Sequence, residues 1–352
     1  MSFRFPFRSR YPLVCLLFIA AAPVAAQQQI TVTATRTPTR LADVVADITV
    51  ISREQLQRSE ARTLPELLSQ QAGLQFASNG GLGKTASVFI RGLEARHTLL
   101  LVDGVRIGSS TVGSPSLDNL PLESIDRIEI VRGPMSSLYG NGAFGGVIQI
   151  FTRQGSQGLT GNAKLAAGSN SYGQAAAGLG FGNGTVDAAL QLQHTDTRGF
   201  SATNARVPFG SFNDDRDGFR QTGGSLRLGW QPLADWRLEL VTLQSKGVTQ
   251  IDDGPGADAR AELENRFAVV SARGKLLPGW TTRLSVSEAT DVYDTLASAS
   301  AFASLGKTQT HNRQVGWENT VATPLGSLLL LAERSKEVVS RPGAAYVLSD
   351  RS

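Results

Sequence analysis

The chain has 352 residues, with 34 Lys+Arg against 30 Asp+Glu, a formal charge of +4, 37 glycines and a single cysteine. That length allows more than one domain and a substantial core. No apolar run reaches 18 residues, which excludes a transmembrane helix and leaves a membrane barrel open.

Residues 1–26 hold Arg4, Arg8 and Arg10 and no acids, then an apolar run from Leu13 to Ala22 and the small-residue site Val24-Ala25-Ala26. This order of basic region, short apolar core and small residues predicts a secretory signal peptide cleaved before Gln27. Its three arginines carry most of the charge surplus and leave the remainder at +1, so nothing basic is left to argue for nucleic acid. The one cysteine, Cys15, leaves with it. A cysteine-free mature chain excludes disulfides and thiolate metal sites.

Gln27 to Thr39 is polar around a β-branched centre, Ile30-Thr31-Val32-Thr33-Ala34, and reads as a terminal strand. Asp47 to Ile51 reads as a strand. Ser52 with Gln55, and Thr63 with Glu66, are capping-box patterns that start two helices, with Pro65 in the second one's first turn. Leu64, Leu67 and Leu68 make an apolar stripe before Gly73 ends that helix. Asn79-Gly80-Gly81-Leu82-Gly83-Lys84-Thr85 has the look of a phosphate loop, but Ser78 stands where glycine is needed and Ser87 to Ile90 is a strand, not a helix. Leu99 to Val105 is a strand turning at Asp103-Gly104.

Ile125 to Thr152 then reads IDRIEIVRGPMSSLYGNGAFGGVIQIFT. Ile128 and Ile130 alternate with Arg127 and Glu129, which predicts a half-buried strand, and Val147 to Thr152 is a second strand. Gly140-x-Gly142-x-x-Gly145 between them matches a dinucleotide fingerprint in spacing, but that motif must open a helix and this one opens a strand. The string Arg132-Gly133-Pro134, Ser137-Leu138-Tyr139-Gly140 and Ala143-Phe144-Gly145-Gly146-Val147-Ile148 resembles the plug signature of the TonB-dependent outer-membrane receptors. The resemblance implies that Ile30, Thr31, Val32, Thr33 and Ala34 form a TonB box, which pairs as an extended strand with the periplasmic energy-coupling protein TonB. It implies residence in the outer membrane of a Gram-negative bacterium after leader cleavage.

Near residue 155 mixed helix and strand give way to repeated alternation. Val186, Ala188, Leu190 and Leu192 fall on one face and Asp187, Gln191 and Gln193 on the other. Leu226, Leu228 and Trp230 repeat the pattern, as do Trp236, Leu238 and Leu240, and Trp280, Leu284 and Val286. A soluble antiparallel sheet gives the same alternation. The connections favour a membrane barrel: short turns at Gly182-Asn183-Gly184, Gln231 to Asp235, Leu277 to Gly279 and Pro324 to Gly326 alternate with long polar loops near 196–218, 247–262 and 293–306, and Trp230, Trp236 and Trp280 flank the short turns. The fold expected is an α+β plug domain (40–154), preceded by the TonB box and linker (27–39), followed by part of an antiparallel transmembrane β-barrel (155–352). About nine strands are legible, where a barrel holding a plug needs roughly 22. The expectation is a C-terminally shortened receptor that does not insert stably as it stands, since an open sheet leaves backbone groups unsatisfied in hydrocarbon.

Within the family the plug is most similar to the cobalamin receptors. Two apices, Asn79 to Gly92 and Val112 to Pro121, then face the ligand, and the resemblance places corrinoid contacts at Asn79, Thr85, Ser87, Glu94, Val112 and Gly113. Thr85 stands for an apolar residue, Glu94 for an amide and Gly113 for a hydroxyl, and a siderophore receptor is the alternative. A second alternative is a shortened fragment that does not transport and acts at most as a plug-like binding module. Asn213-Asp214-Asp215-Arg216-Asp217 resembles an outside loop that binds calcium in those receptors. Asn213, Asp215 and Asp217 with Asp252 and Asp258 would supply the oxygens a hard cation takes. A solvated acidic loop reads equally well. No other cofactor is expected. His97, His194 and His311 are far apart, and neither an H-E-x-x-H nor a G-x-S-x-G motif occurs, so no enzyme is expected.

Overall fold

The computed structural model describes residues 31–33, 36, 39–108, 116–140, 142–207, 212–256, 258–297, 306–341 and 348–351. The leader, Ile30, Ala34, Val112 and Gly113 lie outside the described residues. The chain begins with two short paired strands, β1 (Thr31–Val32) and β2 (Thr39–Arg40). β3 (Asp47–Ile51) follows, then α1 (Arg53–Arg58), α2 (Leu64–Ser69), and the hairpin β4 (Leu74–Ser78) and β5 (Ala86–Ile90). β6 (Thr98–Val102), β7 (Val105–Arg106), β8 (Ile125–Arg132), α3 (Ser136–Tyr139) and β9 (Gly146–Thr152) complete the unit.

Five of these strands form one sheet in the order β3-β8-β9-β6-β7, antiparallel except for the β6–β9 pair. Leu99 to Val102 in β6 and all of β9 are buried, as the continuous apolar runs of a covered parallel pair require. Ile128 opposes Ile150 and Ile130 opposes Ile148, and Leu64, Leu67 and Leu68 of α2 join them in the core. The expected capping box at Ser52 is complete. The one at Thr63 is only half formed: Thr63 accepts from the Glu66 amide, while the Glu66 carboxylate turns to the Arg62 amide at 2.8 Å. α2 ends at Ser69, four residues before Gly73. β8 also departs from expectation, because Glu129 on its polar face is fully buried rather than solvated. The N-terminal segment covers that face.

Gly146 shows why the signature needs its glycines. Its φ is +153°, and a Cβ there would overlap the Val131 carbonyl across the β8–β9 pair. Asp103 and Gly104 both have positive φ and close the β6–β7 turn.

Beyond β9 the chain forms a single antiparallel sheet in sequence order. β10 (Gly158–Gly168), β11 (Tyr172–Gly182), β12 (Val186–Thr197), β13 (Phe219–Leu233), β14 (Trp236–Ile251), β15 (Ala259–Leu277), β16 (Trp280–Ala297), β17 (Gly306–Thr323) and β18 (Gly326–Ser340) are long, and β19 (Leu348–Arg351) is short. The nine expected strands are therefore present with a tenth, four-residue one. Asn183 sets one short turn by accepting from the amides of Thr185 and Val186 at 3.0 and 2.8 Å. The loop expected over 247–262 is shorter than read from sequence, because β14 continues to Ile251 and β15 starts at Ala259.

The two faces of this sheet are inverted relative to a water-soluble one. Leu165, Leu179, Leu192, Leu228, Trp230, Val270, Leu284, Val286, Val315 and Trp317 are exposed, whereas Gln191, Gln193, Gln221, Ser245, Asn265 and Asn312 are buried against the plug. An apolar outer face with a polar inner one is the pattern of a barrel wall in lipid. Val241, Leu243, Phe267 and Val269 interrupt the polar face and share one core with Ile51, Leu64 and Ile128 of the plug. The wall thus holds the plug by apolar contact as well as by charge.

Three charged or polar ties fix the two parts. Arg227 of β13 bonds Asp103 at 2.9 Å and Glu239 at 3.2 Å, and Asp103 also accepts from the Thr152 hydroxyl at 2.7 Å. Glu123 collects Arg53, Arg153 and Lys164 at 3.1, 3.3 and 2.8 Å. Asn119, fully buried, donates to Asn265 at 2.8 Å, and Asn265 donates to Asp291 at 2.7 Å.

Candidate functional site

The N-terminal segment is docked, not free. Val32 is fully buried, and the Thr33 amide donates to Glu129 at 2.8 Å. Arg36 then crosses to the wall, pairing with Glu318 of β17 at 2.8 Å and Glu333 of β18 at 3.1 Å. Its guanidinium lies 4.4 Å from the centroid of the Tyr139 ring, so the Ser-Leu-Tyr-Gly part of the signature serves as a cation–π platform for it. Arg36 adopts φ +69°, a conformation an arginine holds only where its surroundings impose it. Three elements therefore clasp the β1–β2 segment: β8, α3 and the β17–β18 wall.

At the other end of interest, the β4–β5 hairpin presents its tip. The Asn79 amide donates to the Thr85 carbonyl at 3.1 Å and closes the loop. Asn79 and Thr85 are exposed and Ser87 is half-buried, so these three expected contact residues gather at one place. Glu94 does not join them. It follows the far end of β5, beyond the Leu74–Ile90 pair, and bonds Arg96 at 2.5 Å. Wall residues complete the tip's surroundings: Tyr293 of β16 lies near Thr85, and Phe200, Ala202 and Phe219 pack against the glycines of the loop. At Gly83, with φ +78°, a Cβ would overlap the Phe219 ring.

Lys84 leaves this tip in the opposite direction. It is 5% exposed, and its Nζ donates to Thr249 Oγ1 at 2.8 Å and to the Gln250 carbonyl. Burial pushes the ammonium down to about 8, while Asp217, Asp252 and Asp215 pull it back up. It is still a cation at neutral pH.

Of the five expected metal ligands, three come together. Asp215, Asp217 and Asp252 bring one carboxylate oxygen each within 4.8 Å of one another. Asp258 stays outside the group, held by Arg260 at 2.8 Å, and the Asn213 side chain accepts from the Gly256 amide at 3.1 Å. Asp252 Oδ2 accepts from the Thr203 amide and hydroxyl at 2.8 and 2.6 Å, whereas its Oδ1 and Asp253 Oδ2 are buried with no hydrogen-bond partner. Burial first, and then the neighbouring Asp252 and Asp215 carboxylates, raise Asp217 above the ordinary carboxylate range despite a bond from the Ala202 amide and the nearby Lys84. Three converging carboxylates, one of them with an orphaned buried oxygen, fit a hard cation, and Asp215, Asp217 and Asp252 are the residues that would hold it.

Sequence reading did not single out Arg36, Lys84, Tyr293, Glu318 or Glu333. Arg36 sat in a stretch with no periodicity, and Lys84 belonged to a discarded phosphate-loop match. The glutamates were two of many on strands. Only the apposition of plug and wall makes them partners.

Residues 40–147 match the family model described as TonB-dependent Receptor Plug Domain. Among solved structures, the siderophore receptor PirA from Acinetobacter baumannii superposes with a TM-score of 0.69 at 18% identity over 83% of this chain and 48% of that one. The receptor FpvA of P. aeruginosa, bound to heterologous pyoverdines, does so with a TM-score of 0.73 at 13% identity, over 88% and 44%. The chain thus carries a TonB-dependent receptor plug domain followed by part of an antiparallel barrel. Its curated relatives include the vitamin B12 transporter BtuB of Photobacterium profundum, 30% identical over 96% of this chain and 56% of that protein. The BtuB of Vibrio cholerae is 33% identical over 72% and 41%. The chain thus spans about half the length of the curated relatives it matches.

Proposed function

We propose that the chain serves, as a TonB-dependent receptor of the outer membrane reached after leader cleavage, in the active uptake of cobalamin or a related corrinoid into the periplasm. The single observation that carries this reading is the clasped N-terminal segment. Val32, Thr33 and Arg36 are held by contacts that must be exchanged before the strand can pair with a coupling protein such as TonB. Burying a valine contributes about 1.5–3 kcal/mol, and separating a largely buried ion pair costs about 3–5 kcal/mol, so the closed arrangement is the resting one.

A ligand seated on Asn79, Thr85 and Ser87 would meet a hairpin that runs straight into the plug sheet's surroundings. Strand addition to a coupling protein would draw on main-chain hydrogen bonds of β1, with side chains contributing little. The energy would come through that strand. Calcium, held by Asp215, Asp217 and Asp252, would neutralise charge and fix the outside loops near the tip. The names of the BtuB relatives support a corrinoid over a siderophore, because the siderophore-receptor likenesses stand at under 25% identity and carry the fold alone.

Equilibrium dialysis of the purified chain in detergent, with cyanocobalamin against ferric enterobactin, tests the reading. Saturable cyanocobalamin binding that the ferric siderophore does not displace is expected. Retention of the siderophore instead selects the alternative ligand class, and retention of neither overturns the uptake reading.

A further inference from the structure

The first plug apex carries a cation into the acidic loops of the wall. Lys84 is almost fully buried, and both of its hydrogen-bond partners, Thr249 and Gln250, lie at the end of strand β14 just before Asp252. Among the described residues no carboxylate closes to ion-pair distance of Nζ, so the lysine faces the acidic group at one remove. The other basic groups of these loops are differently placed. Arg260 is occupied by Asp258, and Arg216 is solvent-exposed within its run. Packing couples the same two parts. Ala202 and Phe200 lie against Gly80 and Gly81, and the Ala202 amide is the donor to Asp217 at 2.9 Å. The Asp252 carboxylate in turn holds Thr203. A shift of the apex is therefore felt by the loop that carries the acids.

We propose that Lys84 is the built-in counter-charge of the acidic wall loops: it docks the first plug apex onto them, and a divalent cation at Asp215, Asp217 and Asp252 competes with it for the same negative field. The competition rests on the calcium reading above; the docking does not. Lysine at this position lets the apex and the loops form one unit without a metal. A bound divalent cation weakens the hold on Lys84 and frees the tip.

The test uses the full chain in detergent, as wild type, Lys84→Gln and Lys84→Arg. Hydrogen exchange without calcium should speed up about tenfold in both 79–85 and 212–217 in Lys84→Gln, stay unchanged in α1 and α2, and return toward wild type in Lys84→Arg. Calorimetric titration with calcium chloride should show about tenfold tighter binding to Lys84→Gln than to wild type. Unchanged exchange in both segments overturns the docking. Equal calcium affinity in a wild type that does bind calcium overturns the competition. If neither protein binds calcium, the calcium reading and the competition fall together, and the exchange data alone decide the docking.

Discussion

Arg36→Ala is expected to open the N-terminal segment about a hundredfold more often without unfolding the plug. The guanidinium ties this segment to both Glu318 and Glu333, and it also covers the Tyr139 ring. Losing a partner from a largely buried pair costs about 3–5 kcal/mol, and each 1.4 kcal/mol is a factor of ten in an equilibrium. Some of that loss falls on the two glutamates, which regain water when the segment leaves. Hydrogen exchange at Val32 and Thr33 reads the effect directly, with the amides of β8 and β9 as the internal reference. Unchanged protection at Thr33 would mean that Glu129 and the burial of Val32 hold the segment by themselves.

The largest loss of stability should follow Arg227→Met. Its side chain is 8% exposed and bridges Asp103 of the plug to Glu239 of the neighbouring wall strand. Methionine fills the volume but leaves Asp103 without its cation, in a place where water has little access, while Glu239 keeps Arg237 at 3.0 Å. A loss of about 3–5 kcal/mol is expected. The accompanying sign is faster exchange in the β6–β7 turn, because Asp103 would keep only its Thr152 contacts. Pairing the change with Asp103→Asn should recover part of the loss, since the buried charge goes with its partner. Full additivity of the two changes would show that the pair is not coupled across the plug and wall.

Much of the architecture could be read from local pattern. The capping residues Ser52 and Thr63, the alternation in the wall, and the glycine string at 140–146 each act on a scale of a few residues. The wall was legible because a strand with lipid on one side and a polar interior on the other repeats every second residue. What could not be read was set by juxtaposition. Glu129 looked solvated because strand alternation says nothing of what later covers the polar face. Loop length at 252–258 was overestimated because Arg260 and Glu262 look like loop residues, yet they stand on β15 opposite Gln250 and Val248 of β14. The acidic site was legible as a composition and not as a geometry. Asp258 is a carboxylate like Asp252, but its strand-end neighbour Arg260 claims it. Glu94 likewise follows a hairpin whose direction carries it away from the tip.

The most direct test of the central claim, a receptor whose occupied apex releases its N-terminal strand, uses the fact that the sequence has one cysteine, in the leader. A Val32→Cys variant in detergent then carries, apart from Cys15, a single thiol, at a buried position. Its labelling rate with a polar maleimide should be low in the absence of ligand and rise at least tenfold with saturating cyanocobalamin, with Arg36→Ala labelling fast in both states. A rate that is the same with and without cyanocobalamin, in a protein shown to bind it, would contradict the account.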